Sequence, residues 1–219
     1  MAKRRKVSNM LALPVLAFLV ERPMHPYELV SLLKLRRKDR SIKINYSSLY
    51  TVVANLEKHG FIEALATHRE GRRPERTVYR ITESGREELR DWLRELISTP
   101  EKEHPKFEGA LSLLVVLPPS EVIVLLRERL RVLESQAAAQ SSELEREVRK
   151  VPRLFQIESE YALAFTRLER EWTRSLLEEL EAGTLPGMDP WRALHETGGM
   201  PEEWKALNPE PQGDEGANG

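Results

Sequence analysis

The chain has 219 residues, 32% of them charged, no cysteine and a formal net charge of −1. The absence of cysteine excludes a disulfide-stapled domain, a thiolate nucleophile and a cysteine-ligated metal centre. The near-zero charge conceals an asymmetry: residues 1–97 carry 20 Lys and Arg against 12 Asp and Glu, a net +8, and residues 98–219 carry 14 against 23, a net −9. A basic half favours contact with nucleic acid, so the two halves are expected to have different tasks.

The five histidines do not suggest a metal site. No two of them share the i, i+4 spacing that places a ligand pair on one helix face. The sequence also contains no Gly-rich phosphate-binding loop, no nucleophile elbow and no clustered histidines and carboxylates. We therefore expect no metal and no cofactor, and we do not expect an enzyme.

The N-terminus imitates a secretory signal, because basic residues 3–6 precede the apolar run 10–20. Pro14 interrupts that run, a charged segment follows it at once, and no small-x-small cleavage site lies behind it. The run is also shorter than the about 20 apolar residues that span a bilayer. We expect a cytoplasmic protein in which residues 1–8 form a flexible basic arm.

Three helices are predicted between residues 11 and 60. The first tolerates Pro14 only in its opening turn, and the second begins at His25 and Pro26. The third runs from an Asn45 N-cap to a left-handed Gly60. Apolar side chains at helical spacing are expected to face the core, namely Leu11, Val15, Phe18, Leu19, Leu29, Leu32, Leu33, Leu49, Val52, Val53 and Leu56.

After Gly60 the apolar period changes to two. Residues 61–67 and 76–81 are predicted strands joined by a turn that contains glycine and proline. Thr82 is expected to cap a fourth helix, which runs to residue 97 with its leucines and Ile97 facing inward. Three helices, a basic two-stranded hairpin (the wing) and a closing helix predict a winged helix-turn-helix domain over residues 1–97.

The third helix and the wing carry the residue types that bind DNA. Hydroxyl and amide side chains on a helix N-terminus suit phosphates and base edges, and Asn55 in particular suits adenine. Arginines on a hairpin tip neutralise phosphates, although a merely solvated loop is the alternative. Basic residues between helices two and three extend the patch. The predicted DNA-binding residues are Lys43, Tyr46, Ser47, Ser48, Tyr50, Thr51, Asn55, Arg72, Arg73 and Arg76.

Residues 98–182 predict an antiparallel pair of long helices, one ending near residue 150 and the other spanning about 154–182. Such a hairpin still exposes large side chains, and a second copy of the chain would cover them. The alternative is that they pack only within their own chain. The predicted dimerisation residues are Leu126, Leu130, Leu133, Tyr161, Phe165, Leu168 and Trp172.

Two further expectations concern a pocket and the C-terminus. Trp92, Phe107 and Phe155 are candidate walls of an effector pocket between the domains, although aromatic residues at helical spacing more often belong to a core. Residues 183–219 hold seven of the 11 glycines and read as a disordered acidic tail.

Three stretches resemble the PadR family of bacterial transcriptional regulators: residues 21–28 (ERPMHPYE), 45–62 (NYSSLYTVVANLEKHGFI) and 71–82 (GRRPERTVYRIT), with Ser84 and Gly85 following. The resemblance implies a winged helix-turn-helix that dimerises through C-terminal helices. It also implies repression from palindromic operators and, in several members, a response to small molecules such as phenolic acids or drugs.

By motif, Ser48, Leu49 and Tyr50 match the family's Ser-Leu-Tyr, in which the Tyr lies at the DNA surface and the Leu in the core. Its helix-ending pattern is matched by Glu57, Gly60 and Phe61. Ser47 and Pro26 depart from the family, since many members have glycine at both positions. Both departures lie in the first turns of their helices.

The sequence therefore predicts a mainly α-helical protein with a small β-hairpin wing and a C-terminal antiparallel long-helix domain. Its expected function is homodimeric, sequence-specific binding of double-stranded DNA, with repression modulated by a small-molecule effector. The alternative is a non-enzymatic adaptor that binds proteins through the winged domain and the helical hairpin. Salt dependence separates the two, because phosphate contacts weaken steeply with salt.

Overall fold

The computed structural model describes residues 5–68, 76–148 and 151–205, and the chain divides into two compact units, residues 1–102 and 103–219. Both units are mainly helical, and one carries a two-stranded antiparallel sheet. None of the helices in the described ranges combines the length and the apolar character that crossing a bilayer requires.

The first unit has the predicted order of three helices, a hairpin and a closing helix. Pro14 lies in the opening turn of the first helix, and His25 with Pro26 begins the second, which confirms both expectations. The core is built from apolar side chains within residues 7–33 together with those of the third helix, the hairpin base and the closing helix. The elements are α1 (Ala12–Glu21), α2 (Pro26–Leu35), α3 (Leu49–Lys58), β1 (Ile62–His68), β2 (Arg76–Ile81) and α4 (Glu83–Ser98).

The hairpin of β1 and β2 forms as predicted, except that β1 begins and ends one residue later than expected. The two strands are antiparallel, with Ile62 opposite Ile81 at the base, and a register shift between Ala64 and Ala66 marks a β-bulge. Ile62 and Ile81 are both buried, so the base of the hairpin belongs to the core. Residues 69–75, the predicted turn with Arg72 and Arg73, lie outside the described residues.

The closing helix α4 is held very close to the hairpin base. Thr82 is its N-cap and accepts a hydrogen bond from the Gly85 backbone N–H at 3.1 Å. A Cβ atom on Gly85 would lie 2.0 Å from the carbonyl oxygen of Phe61, so only glycine permits this approach. The predicted inward face was partly wrong: Leu89 is buried as expected, whereas Leu93, Leu96 and Ile97 are exposed, and Trp92 is buried instead. The ten-residue α1 that packs on this sixteen-residue helix does not cover its last turns.

The second unit is built on the predicted helical hairpin, of α6 (Pro119–Val148) and α7 (Ile157–Ala182), preceded by the short α5 (Lys106–Leu111). Ion pairs from Arg127 to Glu181 and from Glu134 to Arg174 show that α6 and α7 are antiparallel. The line of side chains buried between them, the hairpin seam, comprises Val122, Leu126, Leu133 and Ala137 of α6 and Leu163, Thr173, Leu177 and Leu180 of α7.

The prediction of a disordered tail from residue 183 was wrong for its first part. The chain forms α8 (Met188–Thr197) and α9 (Glu202–Lys205). Met188 and Trp191 are buried against the start of α6 and the end of α7. The Trp191 Nε1–H donates to the Leu117 carbonyl at 2.8 Å. Gly183 and Gly187 adopt positive φ, so the glycines that suggested disorder instead turn the chain back onto the hairpin. Residues 206–219 lie outside the described residues.

Candidate nucleic-acid interface

A tight turn positions the start of α3. The Asn45 side chain accepts hydrogen bonds from the Ser47 backbone N–H at 3.1 Å and from the Ser47 hydroxyl at 2.6 Å. The Ser48 hydroxyl donates to the Asn45 carbonyl at 2.7 Å. Asn45 therefore caps as predicted, but it caps a 3₁₀ turn, residues 46–48, that leads into the α-helix. The two serine hydroxyls hold this turn together, and Tyr46, Ser47 and Ser48 precede α3 instead of forming its first turn.

Helix α3 is divided into a buried apolar face and an exposed polar face. Leu49, Val52, Val53 and Leu56 are buried, which confirms the predicted core positions. Tyr50 is 57% exposed, and Thr51, Asn55 and Lys58 are exposed as well. Thr51, Asn55 and Lys58 recur at steps of four and three, so they form one line along the helix. A hydroxyl, an amide and an ammonium group along one line can contact phosphates and base edges.

Two lysines flank this polar face. Lys43 is exposed just before the capping turn. The Lys34 ammonium of α2 lies 5.0 Å from the centre of the Tyr46 ring, a cation–π contact that ties α2 to the capping turn. Tyr46 itself is partly buried and packs against the core of the first unit.

Arg36 has a structural task and does not extend the basic patch freely. Its guanidinium contacts both carboxylate oxygens of Glu21, one of them at 2.8 Å, and lies 4.9 Å from the centre of the Phe18 ring. The hydrogen bond from Arg36 lowers the pKa of the Glu21 carboxyl. This charge is compensated within the unit, so the free positive charge beside α3 is smaller than the sequence suggests.

Arg5 of the predicted basic arm is likewise used by the fold. Its side chain is 5% exposed and lies 5.3 Å from the centre of the Trp92 ring. It pairs with Glu88 at 2.7 Å and contacts Asp91 and Glu95 on the same helix. Sequence reasoning missed this cluster. The signal was present, since acidic residues 88, 91 and 95 recur on one face of α4, but nothing in the sequence pairs them with residue 5.

The hairpin of β1 and β2, which is the predicted wing, adjoins the end of α3. Arg76 occupies the first position of β2, opposite His68 at the end of β1. The hairpin base is fastened to the end of α3, because the Thr82 and Ser84 hydroxyls both donate to the Gly60 carbonyl, at 2.7 and 2.8 Å. Gly60 has a φ of +72°, which confirms the predicted left-handed end of the helix.

The first unit, whose elements are described above, is similar to a known protein family. Residues 15–91 match the family described as "Transcriptional regulator PadR-like family". The matched range covers most of α1, all of α2 and α3, the hairpin and the first nine residues of α4. The winged unit is a PadR-like domain. The resemblance inferred from the sequence motifs is thereby confirmed, and this is a family of transcriptional regulators. No match was found among curated proteins.

Solved structures share the fold over about four fifths of the chain. Bacillus subtilis PadR in complex with operator DNA aligns with a TM-score of 0.63 and 22% identity, and the same protein in complex with p-coumaric acid with 0.64 and 20%. The Vibrio cholerae virulence activator AphA aligns with 0.57 and 18%. Each alignment covers 78% of this chain and 98% of the other. The fold beyond the PadR-like domain, with its long C-terminal helices, is thus shared as well.

The predicted dimerisation residues fall on two different surfaces of the C-terminal unit. Leu126 and Leu133 are buried in the hairpin seam, and Leu130 is partly buried beside them, so this group packs within its own chain. The α7 residues at 161, 165, 168 and 172 do not face α6, and their exposures range from 47 to 73%. We call Tyr161, Phe165, Leu168 and Trp172 the outer stripe of α7. The sequence alone could not tell which of the apolar stripes of α7 would face α6.

The three predicted pocket residues also differ in their surroundings. Trp92 belongs to the core of the PadR-like domain, beneath Arg5. Phe107 makes an edge-to-face contact with Trp172 at 6.0 Å, and the Arg129 guanidinium lies 3.5 Å from the centre of the Phe107 ring. Phe155 is 70% exposed. Packing thus already engages Trp92 and Phe107 within their own units.

Proposed function

We propose that the chain is a DNA-binding transcriptional regulator whose PadR-like domain holds α3 in the major groove and the wing against the adjoining backbone. The observation that carries the proposal is the division of α3, which buries its two leucines and two valines and presents Tyr50, Thr51 and Asn55 to solvent beside a hairpin. A winged helix recognises DNA through such an exposed polar helix face and basic wing. The solved Bacillus subtilis PadR, which shares this fold, was crystallised with operator DNA.

In this proposal the residues divide by task. Asn55 and Thr51 read base edges, Tyr50 lies at the DNA surface, and Lys43 contacts phosphate. Arg72, Arg73 and Arg76 of the wing contribute phosphate contacts or enter the minor groove. Ser47 and Ser48 act through the turn that they stabilise, which brings the backbone N–H groups at the start of α3 towards a phosphate.

The active form in this proposal is a homodimer on a palindromic operator. The outer stripe of α7 supports this, because four large side chains on one helix face form an apolar surface that a second copy would cover. Two winged domains related by a two-fold axis would then meet half-sites one helical turn apart. Repression would follow from operator occupancy.

A small-molecule effector completes the proposal, supported by the complex of the Bacillus subtilis relative with p-coumaric acid. An effector lowers operator affinity only if it binds better to the dimer geometry in which the two α3 helices no longer match the half-sites.

The decisive experiment selects bound sites from a random pool of double-stranded DNA at physiological salt. We expect a palindrome, with affinity for it falling roughly 10³- to 10⁵-fold between 50 and 200 mM salt if six to ten phosphates are contacted. An adaptor that binds proteins would enrich no sequence and show no such salt dependence, and that result would refute the proposal.

Two variants then test the division of tasks. Changing Arg72 and Arg73 together to Ala should weaken binding to selected and random DNA about equally and reduce the salt slope by about two, since each phosphate contact contributes about 0.9. Asn55→Ala should instead relax the base preference at one position of each half-site, at a cost of about 1–3 kcal/mol for the selected site. A loss confined to the selected site in the arginine variant, or an unchanged preference in Asn55→Ala, would contradict these roles.

A further inference from the structure

Tyr79 of β2 is anchored to the core of the first unit through its backbone. Its N–H donates to the Met24 carbonyl at 2.9 Å, and the Met24 N–H donates to the Tyr79 carbonyl at 3.0 Å. Met24 lies between α1 and α2 and is 1% exposed. This short antiparallel bridge fixes the middle of β2 to the core, although a two-stranded hairpin by itself is only marginally stable in water.

The side chain of Tyr79 connects the same strand to α3. Its hydroxyl donates to the Glu57 Oε2 atom at 3.4 Å. Glu57 lies in the last turn of α3, within one turn of Asn55, and its side chain is exposed. Burial of the ring, together with the neighbouring Glu57 carboxylate, raises the pKa of Tyr79.

The position of this contact along the hairpin matters. The Thr82 and Ser84 hydroxyls fasten the hairpin base to the Gly60 carbonyl at the end of α3, and the Met24 bridge ties β2 to the segment between α1 and α2. The contact from Tyr79 to Glu57 lies three residues further towards the wing turn. Two fastening points at different distances from the base restrict the angle between the hairpin and α3.

A carboxylate at this place is otherwise unfavourable for a DNA-binding surface. Glu57 adds a negative charge within one turn of the residues that face DNA, and like charges repel across the interface. Its contribution is therefore expected within the protein.

We propose that Glu57 and Tyr79 are a positioning pair that holds the wing at a fixed angle to α3, so that both elements meet DNA without further ordering. This inference rests on the proposed DNA-binding function. A wing that is free to swing must be ordered when DNA binds, and the entropy of that ordering lowers the affinity.

The experiment compares Tyr79→Phe, Glu57→Ala and the double variant with the wild-type full-length chain, on the DNA site selected by the wild type. Alanine is used at position 57 because glutamine would keep an oxygen that accepts the tyrosine hydrogen bond. Glu63→Ala is the control for the loss of a carboxylate. Glu63 pairs with Arg80 across the hairpin at 2.5 Å, but this pair links the two strands instead of joining the hairpin to α3.

We expect Tyr79→Phe and Glu57→Ala each to weaken binding by roughly three- to tenfold, the range of a single lost hydrogen bond. The double variant should be no weaker than either single variant, since both remove the same contact. The salt slope should stay close to the wild-type value, because the wing contacts the same phosphates once it is ordered on DNA. Glu63→Ala should bind as well as the wild type or slightly better, and the melting temperatures of all four variants should stay close to the wild-type value.

The sign of the Glu57→Ala effect is the sharpest readout. If Glu57 were only a surface charge, its removal would strengthen DNA binding, and that result would overturn the inference. Additive losses in the double variant, or losses of affinity that parallel losses in melting temperature, would overturn it too. A wild-type chain that enriches no DNA site would instead refute the proposed function itself, which distinguishes the two failures.

Discussion

Helices α3 and α7 present opposite kinds of surface to solvent. In α3 the apolar residues are buried and the exposed line is polar, with Thr51 and Asn55 at its centre. In α7 the seam buries a polar Thr173 without a hydrogen-bond partner for its hydroxyl, while the outer stripe exposes Phe165 and Trp172. Helix α3 buries its leucines and valines within its own unit, so its exposed face suits a polar, charged partner. Helix α7 leaves an apolar stripe exposed, so it suits an apolar partner, and we expect that partner to be another copy of the chain.

The largest expected effect comes from a substitution that disrupts the first unit alone and so tests whether the two exposed surfaces act separately. Gly85→Ala would place a Cβ 2.0 Å from the Phe61 carbonyl oxygen and 2.9 Å from Ile81 Cγ1, so α4 would have to move off the hairpin base. We expect a loss of about 3 kcal/mol in the free energy of unfolding, the upper part of the range for overpacking, with loss of DNA binding. Chemical denaturation and DNA titration measure both quantities.

The matched control for that variant is Gly109→Ala in α5 of the second unit. A Cβ there meets no atom within 4 Å, so the same substitution should stabilise the chain by about 0.5–1 kcal/mol. If Gly85→Ala abolishes DNA binding but leaves association of the chain intact, the two surfaces act separately. A Gly85→Ala protein as stable as the wild type would show that α4 does not depend on this close approach.

An intermediate effect tests the outer stripe directly. Leu168→Glu places a charge in the middle of the stripe on a side chain that is 67% exposed, so the fold of the monomer should survive. We expect self-association to weaken by roughly thirtyfold or more, since central interface residues contribute about 2 kcal/mol or more. Sedimentation equilibrium over a range of concentrations measures this. Val124→Glu, on an α6 residue that is 60% exposed and lies off the stripe, should associate like the wild type. The reverse pattern would place the interface on α6.

The smallest effect concerns α2, which packs against α3 and supports it. The His25 backbone N–H donates to Glu28 Oε2 at 3.0 Å, and this hydrogen bond lowers the pKa of Glu28. Glu28→Gln should cost about 0.5 kcal/mol, because the carboxylate is half exposed. A group with a lowered folded-state pKa stabilises the protein fully above the ordinary glutamate value near 4.3, and the gain disappears as the pH falls through the lower value.

Thermal unfolding at pH 7 and pH 3 measures this difference. Wild type and Glu28→Gln should differ at pH 7 and converge as the pH falls, whereas Glu87→Gln, at an exposed site on α4, controls for the loss of one charge. A difference that persists undiminished in acid would show that the contact does not depend on the charge of Glu28.

Much of the winged unit could be predicted because its signals are local. Asn45, Gly60 and Thr82 mark element ends through the backbone conformations they favour, and the spacing of Leu49, Val52, Val53 and Leu56 marks the buried face. The pairs that hold this unit together are not local. Arg5 meets α4 across more than 80 residues of sequence, and Tyr79 meets Glu57 across 22.

The second unit was harder to predict because one sequence pattern allowed two arrangements. Helix α7 carries one stripe with Leu163, Leu177 and Leu180 and another with Phe165 and Trp172, and both have helical spacing. Residues of both helices were predicted for one dimer interface, but Leu126 and Leu133 of α6 are buried in the seam while the aromatic stripe of α7 stays exposed. The glycines after α7 were read as disorder although two of them turn the chain so that Trp191 can be buried.

By itself the sequence determined the order of the elements, the two faces of α3 and the family of the winged unit, because capping, periodicity and motif spacing act over a few residues. Only the tertiary structure decided which charges are free and which apolar stripe remains exposed. Arg5 and Arg36 count as positive in the sequence but are compensated by Glu88 and Glu21 in the fold. Such outcomes depend on which surfaces meet in space, and burial is a property of the pair of surfaces that meet.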